Sequence, residues 1–174
     1  MSSNTADDEF PHDVSMQSFT GSALFDRTFD EGMALVEETA RYLDGRGRQE
    51  SRDLPRKAAL LYAGESMRVT TRLMQAASWL LVQRAVHEGD MQPEDARDER
   101  YRLGSKEICL GATESVEILP ATLRDLLLRS DTLYRRIARL DDVLFEGGLK
   151  AQSGDGVQAR IGRLEQAFGK NDAA

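Results

Sequence analysis

The residue types that most often do chemistry are few in this sequence, and they lie far apart. It contains two histidines, His12 and His87, and one cysteine, Cys109. A Ser-His-Asp or Cys-His nucleophile needs a histidine beside its serine or cysteine, together with an orienting acid. A structural zinc site needs four closely spaced ligands. Neither pattern can be assembled from the sequence, so we predict no catalytic residues and no metal site.

The acidic residues also argue against an enzyme. Many of them stand in adjacent pairs, and neighbouring side chains on a helix diverge, so solvated faces explain them better than a paired general acid and base. A di-iron bundle places Glu-x-x-His on two of its helices, and none of the predicted helices carries that motif. We therefore predict a protein without cofactors whose function depends on surfaces.

The overall composition narrows the class of partner. The formal net charge is -7, whereas proteins that bind duplex nucleic acid are usually basic. Apolar runs such as 79–82 are far shorter than the ~20 residues of a membrane span. A single cysteine fits a reducing compartment, and the polar, acidic start does not resemble a leader peptide. We predict a cytoplasmic protein with no membrane partner, for which nucleic acid is a disfavoured partner.

Three long helices are predicted from stripes of apolar and small residues at steps of three and four. The first spans about 22–44, the second 53–88 and the third 121–146, where Gly147 and Gly148 end it. On the second helix the stripe is Leu60, Ala63, Met67, Thr70, Met74, Ala77 and Leu81. On the first it is Phe25, Phe29, Met33, Val36, Ala40 and Leu43, and on the third Leu123, Leu126, Ser130, Leu133, Ile137, Leu140 and Leu144. The fold class is all-α, a three-helix bundle with flexible termini.

The bundle domain should occupy residues 21–146, between two less regular ends. Residues 1–20 carry four acids and no Lys or Arg, and we predict that they are disordered. Residues 147–174 form a flexible tail with one short amphipathic helix, expected to order when it binds a partner. Its apolar face consists of Val157, Ile161, Leu164 and Phe168. The arginine-containing stretch 45–52 is predicted to be a solvated loop in preference to a phosphate cradle.

The second helix is apolar on two opposite sides. Trp79, Val82 and Val86 lie opposite the stripe, so this side also needs cover. The cover could be the segment 108–119, a second copy or another protein, and we favour a homodimer. Trp79, Val82 and Val86, with Arg68 and Arg72, are our predicted dimer or partner interface. The alternative is a binding face for an acidic protein or nucleic acid, made by the arginines of this acid-free stretch.

Long segments of the sequence resemble one known family. EGMALVEETARYLDG (31–45), YAGESMRVTTRLMQAASWLLVQRAV (62–86) and LYRRIARLD (133–141) are similar to the alphaproteobacterial family named regulator of CtrA degradation. The resemblance covers about residues 20–146. It implies a dimeric three-helix bundle and carries no assigned functional residue.

The same resemblance implies a function. Members of this family are non-enzymatic adaptors that help to deliver cell-cycle regulators to the ClpXP protease at a cell pole. The partners it implies are ClpXP, the response regulator CtrA and other substrates, the receiver-domain adaptor CpdR and the cyclic-di-GMP effector PopA. We therefore expect a scaffold for regulated proteolysis.

Overall fold

The computed structural model describes residues 21–112 and 114–168, with side chains up to residue 145. The predicted disordered segment 1–20 lies outside these residues. Regular structure in the described ranges is entirely helical. None of the described helices is long and apolar enough to cross a membrane.

Three long helices make up the bundle: α1 (Ala23–Asp44), α3 (Arg56–Glu88) and α6 (Ala121–Phe168). A short helix, α2 (Arg46–Arg52), joins α1 to α3. The connecting segment, residues 89–120, contains α4 (Pro93–Ala96), α5 (Lys106–Cys109) and the 3-10 turns Glu99–Tyr101 and Val116–Ile118. The predicted all-α three-helix bundle is confirmed.

The predicted loop at 45–52 is wrong, because this stretch is helix α2. Gly47 lies so close to the rings of Tyr42 and Tyr62 that an added Cβ would stand 2.5 Å from the Tyr62 hydroxyl. The absence of a side chain therefore lets α2 dock on α1 and α3. As a result Asp53 caps the end of α2, and α3 begins after Pro55.

Contacts between side chains fix the helix directions. Arg129 pairs with Glu38 and Arg136 with Glu31, so α1 and α6 run antiparallel. Trp79 bonds to Asp141 and Arg72 to Asp131, so α3 and α6 run parallel. The connecting segment must therefore carry the chain back along the length of the bundle.

The predicted end of the third helix at Gly147 and Gly148 is also wrong. α6 continues through both glycines to Phe168. Each glycine weakens a helix by about 1 kcal/mol, but it does not forbid helical backbone angles. The side chains of the predicted tail face lie outside the described side chains, so its role stays a prediction.

The core confirms the stripe of α6 and corrects those of α1 and α3. Leu123, Leu126, Leu133 and Ile137 of α6 are fully buried. On α1 Phe25 of the predicted stripe is buried, and most of the other stripe residues are half-buried. They lie beside a buried face formed by Thr28, Leu35, Thr39 and Tyr42. On α3 the predicted stripe faces solvent. Because α1, α6 and the connecting segment cover α3 on its other sides, one side remains uncovered.

Two glycine substitutions test this packing. Gly64 is exposed in the middle of α3, and an added Cβ there meets nothing within 4 Å. Gly64→Ala should therefore raise the free energy of unfolding by about 0.5–1 kcal/mol. Gly47→Ala should lower it by about 1–3 kcal/mol, since Tyr42 and Tyr62 must move. Urea denaturation measures both, and a destabilised Gly64→Ala would contradict the description of α3.

Candidate protein-interaction surface

The connecting segment covers the side of α3 that carries Trp79, and polar side chains of α3 hold it there. Arg68 Nη1 donates to the carbonyl oxygen of Gly111 at 2.9 Å. Gln75 Oε1 accepts from the amide of Gly104 at 2.9 Å. Three apolar residues of the segment, Leu103, Cys109 and Leu119, are buried in the core. Local cover, one of the three possibilities left open by the sequence, is therefore what the structure contains.

Arg72 is the most deeply engaged arginine on this side. Its side chain is 4% exposed, and Nη2 lies 3.0 Å from Asp131 Oδ1. Nε donates to the carbonyl oxygen of Cys109 at 2.8 Å and Nη1 to that of Leu127 at 3.2 Å. Burial lowers the pKa of the guanidinium, and the charge of Asp131 opposes this shift. The charge of Arg72 is thus used inside the fold, where it joins the segment to α6.

Trp79 takes part in a second polar attachment, which joins α3 and the connecting segment to Asp141 of α6. It is only 2% exposed, and its Nε1 donates to Asp141 Oδ1 at 3.1 Å. The same oxygen accepts from the amide of Leu103 at 3.3 Å, and Oδ2 accepts from Arg102 at 3.1 Å. The cover that the Trp79 side needs is therefore internal to the chain, because the segment and α6 enclose both the ring and the N–H of Trp79.

The other residues of the predicted interface are partly exposed to solvent. Val82, Val86 and Arg68 are half-buried, and their contact with a partner stays a prediction. The arginines of α3 that would form the alternative face for an acidic protein or nucleic acid are already engaged within the chain. Arg72 is internal, Arg68 bonds to the segment, and Arg84 pairs with Glu88 at 2.9 Å while stacking on Phe29.

The buried cysteine also belongs to this side. Cys109 is fully buried in α5, and burial raises the pKa of its thiol, which makes it a poor nucleophile. Tyr134 donates to the carbonyl oxygen of Gly104 at 2.6 Å nearby, and burial raises the pKa of this phenol as well. Among the described residues, no group of three or more His, Cys, Asp or Glu side chains could hold a metal ion.

The uncovered side of α3 is the candidate functional surface. We call it the α3 stripe, and it consists of the residues Leu60, Ala63, Met67, Thr70, Met74, Ala77 and Leu81. Its large side chains are strongly exposed: Leu60 by 77%, Met67 by 72%, Met74 by 64% and Leu81 by 53%. From residue 60 to 81 the stripe extends for about 32 Å at 1.5 Å per residue. A continuous apolar surface of this kind usually marks a protein-binding site.

A groove beside the stripe enlarges this surface. It has a volume of about 330 Å³ and runs between α1 and α3. Its walls are apolar or bear hydroxyl groups: Val36, Thr39, Ala40 and Leu43 from α1, and Thr70, Leu73, Met74, Ala77, Ser78 and Leu81 from α3. Three residues of the predicted α1 stripe, Val36, Ala40 and Leu43, thus line one side of the groove. Such a shape suits an apolar helix laid along it.

The polar attachment at Asp141 can be tested with a neighbouring control. Asp141→Ala leaves the buried donors of Trp79 and Leu103 without an acceptor and should lower the free energy of unfolding by about 2–5 kcal/mol. Asp142→Ala removes only exposed pairs with Arg102 and Lys106, so a change within about 1 kcal/mol is expected.

Two measurements report whether the connecting segment stays attached to the bundle. Trp79 is the only tryptophan, so its fluorescence reports denaturant unfolding of both variants. Modification of the Cys109 thiol under native conditions should be faster in Asp141→Ala than in Asp142→Ala. Equal rates and equal stabilities would show that Asp141 does not hold the segment.

Residues 16–168 match a family described as "Protein of unknown function (DUF1465)". The crystal structure of RcdA from Caulobacter crescentus CB15 is similar at 56% sequence identity, covering 74% of this chain and 97% of that one, with a TM-score of 0.61. A search of curated proteins found no match. The chain therefore belongs to the DUF1465 family and is a relative of RcdA.

Proposed function

We propose that the protein is a non-enzymatic adaptor that tethers cell-cycle regulators such as CtrA to the ClpXP protease for regulated degradation. Its kinship with RcdA at 56% identity supports this assignment. The further partners in this proposal are CpdR and PopA, and the site of action is a cell pole. Tethering requires binding surfaces but no reacting group, because it acts by raising the local concentration of a weakly bound substrate.

The observation that carries the proposal is the α3 stripe. It leaves four large apolar side chains in water on a helix whose other sides are covered. Full burial of one such side chain contributes about 1.5–3 kcal/mol, so contact with a protein partner has a strong driving force. We assign protein association to this surface, in place of the Trp79 side predicted from the sequence.

A second copy of the chain is the occupant that the stripe fits best. Its large residues recur every seven positions at 60, 67, 74 and 81, and its small residues at 63, 70 and 77. In an antiparallel symmetric pair, a large side chain of one copy meets a small one of the other, for example Met67 opposite Thr70. Such an interface is self-complementary, as twofold symmetry requires. The adaptor is therefore proposed to be a homodimer.

The C-terminal part of α6 supplies a second proposed contact. Residues 149–168 continue as helix beyond the glycine pair. Val157, Ile161, Leu164 and Phe168 would share one face of it, and we propose that this face binds a partner in the degradation complex. Removal of residues 149–174 should reduce substrate delivery while leaving the unfolding of the bundle unchanged.

The stripe can be tested by placing charges in it. The double variant Met67→Glu/Met74→Glu should be monomeric by sedimentation and should fail to support substrate degradation in a reconstituted ClpXP reaction. Both side chains are exposed, so the free energy of unfolding should stay within about 0.5 kcal/mol per substitution. Leu128→Glu is the matched control, because Leu128 is 67% exposed on α6, away from the stripe.

The two assays separate the parts of the proposal. If the variant is monomeric and degradation is normal, the protein acts as an adaptor without needing to dimerise. If the variant still dimerises and degradation is normal, the α3 stripe takes part neither in dimerisation nor in substrate delivery. If wild-type protein itself gives no stimulation of the reconstituted reaction, the adaptor assignment is wrong.

A further inference from the structure

Two serines, one on each side of α5, have a backbone conformation that residues with a side chain rarely adopt. The φ angle is 58° at Ser105 and 60° at Ser115. In this left-handed region a Cβ atom crowds the backbone of its own residue. Among the residues placed by the structure, no other non-glycine residue has a positive φ. Backbone strain is therefore concentrated around the part of the connecting segment that contains α5. We call residues 105–112 the flap.

The chain is firmly fixed just outside the two serines. Leu103 before them and Leu119 after them are each 4% exposed. Both backbone groups of Gly104 are also bonded. Its amide donates to Gln75 at 2.9 Å, and its carbonyl oxygen accepts from the Tyr134 hydroxyl at 2.6 Å. The flap thus lies between two points of attachment that do not depend on it.

The flap itself buries little apolar surface. Within residues 106–112, Cys109 is the one buried side chain, whereas Ile108 is 56% exposed. The helix α5 has four residues, too few to be stable as a helix by itself. Regions with few buried apolar contacts open locally at a lower free energy than the core. The flap therefore meets the physical conditions for local opening.

The bonds that hold the flap closed can be replaced by bonds to water. Arg68 and Arg72 each donate to a backbone carbonyl oxygen of the flap, at 2.9 and 2.8 Å. Lys106 pairs with Asp142 at 2.7 Å, and both side chains of this pair are partly exposed, so the pair contributes little to stability. When the flap lifts, water reaches both guanidinium groups and takes the place of the lost acceptors. The net cost of each lost bond is then small.

We propose that the flap opens locally while the three-helix bundle stays folded, with Ser105 and Ser115 as its hinges. The open form releases the backbone strain at the hinges, which reduces its free energy relative to the closed form. Opening exposes the Cys109 thiol and the Arg72 guanidinium, so this side of α3 becomes accessible without unfolding of the bundle. The inference rests on the fold alone and is independent of the proposed adaptor function.

The single cysteine is a natural probe of this motion. Cys109 is the only cysteine in the sequence and is buried when the flap is closed, so a thiol reagent modifies it only after an opening. In the full chain under native conditions, modification should be faster than global unfolding permits. Its rate should change little over the first ~1 M of urea, because a local opening exposes far less surface than global unfolding.

Glycine substitutions at the hinges test their role. Glycine adopts a positive φ without crowding, so Ser105→Gly and Ser115→Gly should each slow the modification of Cys109 by about two- to tenfold. The matched control is Ser78→Gly, at an exposed position within α3. Glycine weakens a helix, so this variant should be less stable in urea denaturation but should keep the wild-type modification rate.

Hydrogen exchange gives a second readout that does not depend on thiol chemistry. The amide of Cys109 donates to the carbonyl oxygen of Ser105, and that of Leu110 to the carbonyl oxygen of Lys106, both at 2.9 Å. These two amides should exchange faster than the amides in the middle of α3. The hinge variants should slow their exchange by the same factor as the thiol modification.

Three results would overturn the proposal. One is a modification rate that follows global unfolding with its full dependence on urea. Another is a pair of hinge variants with the wild-type rates of both modification and exchange. The third is faster modification in Ser78→Gly, in proportion to its loss of stability, which would assign the exposure of Cys109 to unfolding of the whole bundle.

Discussion

Two helices that run in the same direction cannot be joined by a short turn, and α3 and α6 run in the same direction. The connecting segment must therefore return along the whole bundle, and much of the structure depends on how it is held. Its regular elements are too short to be stable alone. The fold anchors it with buried polar groups, chiefly Arg72 and Asp141, each of which satisfies several partners at once.

These anchors explain the distribution of polar residues on α3. Arg68, Arg72 and Gln75 lie on the same side as Trp79 because the backbone of the segment offers carbonyl and amide groups there. A purely apolar surface could not satisfy those groups, and each one left unpaired in the interior would cost about 1–3 kcal/mol. The apparent binding face of arginines is thus an internal attachment.

Covering the Trp79 side has a consequence for the opposite side. With α1, α6 and the segment occupying the rest of the α3 circumference, the α3 stripe is what remains exposed. Its alternation of large and small residues, and the groove shared with α1, give this surface a shape as well as hydrophobicity. In the proposed adaptor this shape would select the partner.

The sequence by itself determined the all-α class, the three long helices and the ends of α1 and α3 at Asp44 and Glu88, because periodicity and capping are local properties. It also indicated that α3 has two apolar sides. Only the tertiary structure decided which side is buried. A heptad stripe shows that a helix can pack against something, but its partner is set by chain direction and by long-range contacts such as Trp79 with Asp141, 62 residues apart. For the same reason the glycine pair did not end α6 and the glycines around α2 did not make a loop. At both places the local preference amounts to about 1 kcal/mol per residue, which is small enough for its surroundings to override.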